Sequence, residues 1–165
     1  MQVVDSESFR EGMSKLTGAV TIVATEGEAG KGGFTATAVC SVSDNPATLL
    51  VCINRNNDLE QVIEKNQSFT VNLLSTEQKA LANRFAGLEN IPSAERLEVG
   101  FWSKGKTGSP LLMDCLASFE CKLTNAVPTG THTVLFGEVI NLLLNHSQSQ
   151  PLLYYNRSYN TIKFP

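Results

Sequence analysis

The stretch Gly33–Arg55, GFTATAVCSVSDNPATLLVCINR, constrains this chain more than any other part of it. From Thr35 to Ser43, small hydroxyl-bearing and small apolar side chains alternate with the period of a strand. Their size lets a flat ligand lie against the backbone. Asp44, Asn45 and Pro46 supply a turn. Thr48 to Ile53 is too uniformly apolar for either face to meet water, so it is expected inside a sheet or barrel, with Asn54 and Arg55 as its polar tip. Strand, proline turn and buried strand together predict a rigid platform for a planar, hydrogen-bonding ligand.

The segments around this platform read as short strands with accessory helices. Ser6 is expected to cap a helix from Glu7 to Leu16 with Phe9, Met13 and Leu16 on one face, stopped by Gly18. Ala19 to Thr25 reads as a strand and Glu26 to Gly33, with four glycines, as its hairpin loop. That loop lacks the GK[ST] ending of a phosphate cradle and opens no helix. Asn57 or Asp58 caps a helix over Leu59 to Lys65, with Leu59, Val62 and Ile63 inward. The amides at its start, beside Arg55, offer an anion site, and a capped surface helix with a solvated arginine fits the same residues.

Ser68 to Leu74 is a strand in which Asn72, disfavoured by propensity, marks a specific hydrogen-bonding task or an edge position. Ser75 and Gln78 form a capping box for a helix through Phe85, closed by Gly87, with Leu81 and Phe85 paired and Arg84 beside them. Leu88 to Ser109 is an excursion with a short helix near Ala94 to Leu97, shaping specificity or a subunit contact, with Trp102 as a packing anchor. Cys115 to Leu123 alternates cleanly, Pro128-Thr129-Gly130 turns into His132 and a strand from Thr133 to Leu144, and Leu152–Tyr155 and Tyr159–Phe164 flank a turn at Asn156-Arg157-Ser158. Strands outnumber helices without a βαβ rhythm. The expected fold is therefore mainly β, an antiparallel closed or nearly closed barrel with two or three accessory helices.

Composition narrows the function. With 165 residues, 42% hydrophobic and 18% charged, the chain reads as one globular domain spanning 1–165. A net charge of -3 without a basic cluster speaks against nucleic acid. No long apolar run or leader-like start points to a membrane or export, so a cytoplasmic protein is expected. Cys40, Cys52, Cys115 and Cys121 have no metal-type spacing, lie far from His132 and His146, and are expected as buried thiols; no metal is expected. His146 reads as a solvated loop residue.

The Gly33–Arg55 stretch, together with SESFREGMSKLTGAVTIVAT, FTVNLLSTEQKALANRFAG, GTHTVLF and YYNRSYNTI in the same order, resembles the short-chain NAD(P)H:flavin reductases over nearly the whole chain. These are the reductase components of two-component flavin monooxygenases, and the likeness is greatest to those serving pyrimidine (uracil) and then hydroxyphenylacetate monooxygenases. The resemblance implies an FMN-binding split barrel, usually a homodimer with flavin sites near the subunit interface. It implies hydride transfer from NADH or NADPH to FMN or FAD, and diffusion of reduced flavin to a partner monooxygenase. No basic residue is securely placed for a ribose 2′-phosphate, which favours NADH.

On the flavin side the expected residues are Thr35, Ala36, Thr37, Ala38 and Ser41 at the ring, and Asn54, Arg55 and Asn57 at the phosphate turn. Asn72, Arg84 and Phe85 complete that set, with Phe85 the stronger of the last two. Relatives usually carry a serine where this chain has Asn57-Asp58, and Asp58 is expected to point away as a cap. His132 on its own reads as a turn or core hydrogen bonder; the resemblance makes it the catalytic candidate at the nicotinamide side, with Arg157 and Tyr159 covering the dinucleotide. A flavin carrier or sensor without turnover uses the same barrel, and so does a reductase with a tightly held flavin. The GTH and RSY segments favour the enzyme, because a flavin holder needs no nicotinamide side.

Overall fold

A computed structural model describes residues 3–146 and 149–162. Helix α1 (Ser6–Ser14) leads into a short strand β1 (Gly18–Ala19) and then into β2 (Thr21–Gly27), β3 (Gly30–Ala36), β4 (Val39–Asp44) and β5 (Ala47–Asn54). Helix α2 (Leu59–Asn66) and strand β6 (Ser68–Leu73) follow, then a turn of 3-10 helix (Thr76–Gln78) that runs into α3 (Lys79–Phe85). After a second 3-10 turn (Glu95–Glu98) come β7 (Trp102–Lys104), β8 (Pro110–Leu112), the long pair β9 (Ala117–Thr129) and β10 (His132–Leu144), and the tail strands β11 (Leu153–Tyr155) and β12 (Ser158–Asn160). The expected strand to Phe164 ends earlier, and residues 163–164 lie outside the described residues.

The mainly β expectation holds. Seven strands form one antiparallel sheet in the order β3-β2-β6-β9-β10-β5-β4, beside the three-stranded β1-β11-β12 and the β7-β8 hairpin. The sheet is not closed: β3 and β4 are its edges, and no ladder joins them among the described residues. The uninterrupted strand expected over Thr35–Ser43 is broken at Thr37 and Ala38, where the Ala38 carbonyl accepts from Cys52 N at 3.0 Å and the chain transfers to the opposite edge.

Two apolar clusters explain the strand patterns. Val23, Phe34, Phe69, Val71, Cys121 and Leu135 pack with Leu59 and Ile63 of α2, as the helical spacing predicts. In β5, Leu49, Val51 and Ile53 join this cluster while Leu50 and Cys52 are only half covered, so one face of that strand is buried and not both. The second cluster places Val20, Ile22 and Leu74 against Leu81 and Phe85 of α3 and Leu112 of β8. The expected loop Glu26–Gly33 contracts to a turn at Glu28-Ala29, and Gly32 and Gly33 enter β3. A side chain at Gly33 would lie 2.6 Å from the Phe85 ring, so the close approach of α3 requires glycine there.

A polar seam runs between these clusters. Asn72 is fully buried; its Nδ2 donates to Ile22 O at 3.0 Å and Thr70 Oγ1 at 3.1 Å. Its Oδ1 accepts from Leu112 N at 2.9 Å and Ser118 Oγ at 2.7 Å, so the amide's donors and acceptor are spent inside the protein. Glu120 is also buried, between Thr107 N and Asn141 Nδ2. Burial opposes its charge, but hydrogen bonds from Thr107, Asn141 and the Lys106 N–H outweigh it and hold the carboxyl below its ordinary range.

The capping box holds, with Ser75 N donating to Gln78 Oε1 at 3.0 Å, and α3 is closed by Ala86 and then Gly87, whose φ is 78°. The cap of α1 is Asp5, one residue before the expected Ser6, because its longer reach takes both Glu7 N at 2.9 Å and Ser8 N at 2.8 Å. The cap of α2 is Asn57, whose Oδ1 accepts from Leu59 N at 3.0 Å. Trp102 is a packing anchor, 5.7 Å from the Phe85 ring centroid and donating to Val99 O at 2.8 Å. Cys115 and Cys121 are buried, and burial with the Glu120 charge pushes the Cys121 thiol up to about 12. Against expectation, Cys40 is exposed, because it lies on the edge strand β4, and Cys52, on the less buried face of β5, is half covered. His146 is exposed, as expected.

Replacing Asn72 by Ala leaves several buried partners unsatisfied and is expected to cost about 3 kcal/mol of stability. Urea denaturation reads this as a lower midpoint; an unchanged midpoint would remove Asn72 as the hub of the seam.

Candidate functional site

The break at Thr37-Ala38 opens a cavity of about 440 Å³ at the end of the sheet. Its floor is Phe34 to Ala38, and its far wall is the tip of β5 and the turn into α2, including Asn54, Asn57 and Asp58. Phe85 and Ala86, at the end of α3, close a third side, and His132 at the start of β10 stands opposite. His132 reaches this position because β10 pairs with β5 in the register His132↔Asn54, which sets the Gly130-Thr131 turn beside the β5 tip. Its Nδ1 lies 2.9 Å from Thr131 Oγ1, and the ring is exposed.

The floor is rigid and still has bonding capacity. Thr35 Oγ1 donates to Ala82 O at 2.6 Å and Thr21 Oγ1 to Ala36 O at 2.8 Å, which tie the strip to α3 and β2. The N–H groups of Thr37 and Ala38 find no backbone acceptor among the described residues. Adjacent donors on a fixed backbone suit a ligand edge that accumulates negative charge.

The cation in this cavity is Arg96, which the sequence reading did not single out. Its Nε donates to Ile91 O at 2.9 Å and its Nη1 to Phe85 O at 3.1 Å and Gly33 O at 3.3 Å, leaving Nη2 without a protein partner among the described residues. The two arginines expected here are elsewhere. Arg55 is half exposed and turns toward Glu60, with Nε 3.9 Å from Oε1, while Glu60 itself is held by buried Thr133. Arg84 binds Glu95 O at 2.9 Å and Arg96 O at 3.3 Å, fastening the excursion that carries Arg96.

Three further expectations are relocated. Asn72 lies in the buried seam, and Ser41 lies on the exposed β4 edge, lining a separate apolar cavity. Asp58 does not point away as a cap: it lines the first cavity and accepts from Ser93 Oγ at 3.1 Å.

A second cavity of about 430 Å³ adjoins the first and shares Thr35, Ala36, Thr37 and Ala86 with it. It contains Arg157 and Tyr159, so the structure separates these two from His132 by the shared strip. Arg157 Nη2 is 2.9 Å from Glu11 Oε2, and Asn156 N donates to Ser14 O at 2.8 Å, which ties the tail hairpin to α1. Tyr159 packs edge-on to Tyr154 at 5.6 Å with Lys79 Nζ 5.7 Å from its ring; burial and then Tyr154 push its hydroxyl pKa up. Among the described residues no cluster of His, Cys, Asp and Glu has a metal-binding arrangement, and no helix is long and apolar enough to cross a membrane.

A mainly β domain with two adjoining cavities on one strip of small residues defines a binder of flat, paired ligands. Residues 13–163 match the flavin reductase like domain, and the chain belongs to that family. It is 41% identical over 165 residues to the FMN reductase (NADH) RutF of Escherichia coli O157:H7, covering 100% of this chain and 99% of that protein. The flavin reductase PheA2 superposes with a TM-score of 0.86 at 32% identity, covering 98% of this chain and 100% of PheA2. BorF, the flavin reductase component of a bacterial two-component tryptophan halogenase, superposes with a TM-score of 0.88 at 28% identity over 98% of this chain and 100% of its own.

Proposed function

We propose that this protein reduces free FMN or FAD with NADH, and that reduced flavin diffuses to a separate flavin-dependent monooxygenase. The observation that carries this reading is the pair of adjoining cavities on the Thr35–Thr37 strip, which provides two flat-ligand spaces in contact. The first cavity fits a flavin: small floor residues admit a planar ring, the Thr37 and Ala38 N–H groups without a backbone acceptor among the described residues can donate to its edge, and Arg96 Nη2, likewise without a partner there, is available to a phosphate. A flavin carrier or sensor needs the first cavity only.

When bound, flavin and NADH supply the hydride chemistry between them. The chain's own residues position and stabilise. Thr35 to Ala38 hold the ring against a fixed backbone, and the N–H groups of Thr37 and Ala38 stabilise negative charge at its pyrimidine edge. Phe85, held against Gly33, fixes the end of α3 beside the ring space. Asn54 and Asn57 shape the turn, Asn54 Oδ1 accepting from Asn56 N at 2.9 Å and Asn57 Oδ1 from Leu59 N at 3.0 Å, and Arg96 takes the phosphate in place of Arg55 and Arg84. His132 stands in the first cavity where the nicotinamide would meet the flavin ring, and across the shared strip Arg157 and Tyr159 hold the dinucleotide in the second cavity.

The unclosed, curled sheet is read as a split barrel on a single domain, and the protein as cytoplasmic. It works as a homodimer, because Phe9 and Met13 of α1 and Leu16 just beyond it form an apolar face that stays 60%, 47% and 66% exposed. That face borders a groove of about 660 Å³ with Val39 and Tyr154, an apolar stripe suited to a second copy.

Anaerobic stopped-flow absorbance tests the activity. Mixing protein and excess FMN with NADH is expected to bleach many equivalents of flavin, and His132→Ala to raise the Michaelis constant for NADH or slow hydride transfer about tenfold with FMN affinity unchanged. Flavin that stays oxidised with both nicotinamides would move the reading to a carrier or sensor.

Arg96→Ala is expected to weaken FMN binding about tenfold or more, whereas Arg55→Ala leaves it within about twofold. Fluorescence titration reads both, and the opposite ranking would return the phosphate to the Arg55 turn.

Sedimentation equilibrium is expected to give twice the chain mass, and Phe9→Asp with Met13→Asp to give the single chain mass. A wild-type monomer would leave the α1 face without its proposed occupant.

A further inference from the structure

The first cavity contains a negative group for which the proposed reduction has no use. Asp58 lines it at the start of α2 but makes no capping bond to that helix, because Asn57 Oδ1 has taken Leu59 N. One Asp58 oxygen accepts from Ser93 Oγ at 3.1 Å, and the other has no protein partner among the described residues. Ser93 is itself buried, so this bond anchors one carboxylate oxygen to the cavity wall while Asp58 stays exposed. Arg96 shares the cavity, while Arg55 is drawn off by Glu60. One guanidinium and one carboxylate thus line the cavity, where two guanidinium groups were expected.

We infer that Asp58 is a specificity-determining residue that opposes the phosphate end of the flavin and keeps the flavin exchangeable. The inference rests on the flavin reading of the first cavity. A phosphate monoester carries close to two negative charges at neutral pH, and riboflavin carries none. Repulsion from Asp58 therefore acts on FMN and spares riboflavin, at a protein surface where Coulomb interactions still exceed their value in bulk water. Arg96 offsets the repulsion without cancelling it, so FMN binds and leaves. For a protein that delivers its reduced product elsewhere, weak retention is the working state.

Asp58→Asn removes the charge and keeps an acceptor for Ser93. Equilibrium fluorescence titration with FMN and with riboflavin is expected to show FMN binding about tenfold tighter in this variant, with riboflavin unchanged. The FMN gain is expected to shrink as salt is raised, and stopped-flow dilution to show FMN leaving about tenfold more slowly. Unchanged FMN affinity in Asp58→Asn, with Arg96→Ala still weakening FMN, overturns the inference and leaves the flavin reading standing. A loss of affinity for FMN and riboflavin alike also overturns it, since the carboxylate would then be accepting a hydrogen bond from the ribityl chain. If Arg96→Ala alters binding of neither ligand, the flavin reading of the cavity falls first.

Discussion

The structure depends on a connection of two residues. Strands β3 and β4 are the opposite edges of a seven-stranded sheet, yet only Thr37 and Ala38 separate them in the chain. Three virtual bonds span at most about 11 Å, so the sheet must curl until its edges nearly meet. The curl is left open because Ala38 O pairs with Cys52 N, across β5, and no β3–β4 ladder forms. The result is a gap floored by backbone in which the N–H groups of Thr37 and Ala38 have no backbone acceptor among the described residues. The same constraint that shapes the sheet makes the cavity.

Holding such a sheet curled requires both of its faces to be covered near β2 and β6. On one face the cover is α2 with its Leu59 and Ile63; on the other it is α3 with Phe85 and the β7-β8 hairpin with Leu112. The hairpin is attached by polar bonds: Asn72 receives Leu112 N, Thr70 Oγ1 donates to Pro110 O at 2.5 Å, and Glu120 receives Thr107 N. Buried polar groups stabilise only when fully paired, and here pairing fixes the hairpin at one register on the sheet. The excursion that follows α3 is fastened in the same manner, by Arg84 and Arg96 gripping backbone carbonyls. Arg96 therefore reaches the cavity from a segment with little regular structure.

Much of this was legible in the residues, and the failures have physical causes. Local signals worked where the deciding interaction is local: the Ser75–Gln78 box, the α2 spacing of Leu59 and Ile63, and the Asn156-Arg157 turn, whose φ values of 48° and 62° make the tight hairpin its sequence suggests. They failed at Thr37-Ala38, because small strand-forming residues carry no turn signal and the break is imposed by Cys52, far along the chain. Asn72 had an unusual demand for hydrogen bonds, but its partners Leu112 and Ser118 are distant in sequence, so a core hub and a ligand contact looked alike. Arg55 and Arg96 are distinguished only by tertiary partners, Glu60 for the one and the carbonyls of Gly33 and Phe85 for the other. Adjacent glycines at 32 and 33, placed in a loop by composition, were the available hint that α3 presses on the floor.

The chemistry suits what the fold supplies. Transfer between two bound ring systems asks the protein for juxtaposition, exclusion of water and a place for charge, and for no strong acid or base. A strip of backbone shared by two cavities supplies juxtaposition, since any ring lying along Thr35–Thr37 in one cavity borders the other. Side chains with strong affinity would work against turnover, because a flavin that must leave gains nothing from being held tightly after reduction. The cavity is bounded largely by alanines, threonines and asparagines, with its one arginine already bonded to three carbonyls and a carboxylate, Asp58, in the same lining. Its precision lies in the backbone, where the curl of the sheet fixes it, and its restraint lies in the side chains.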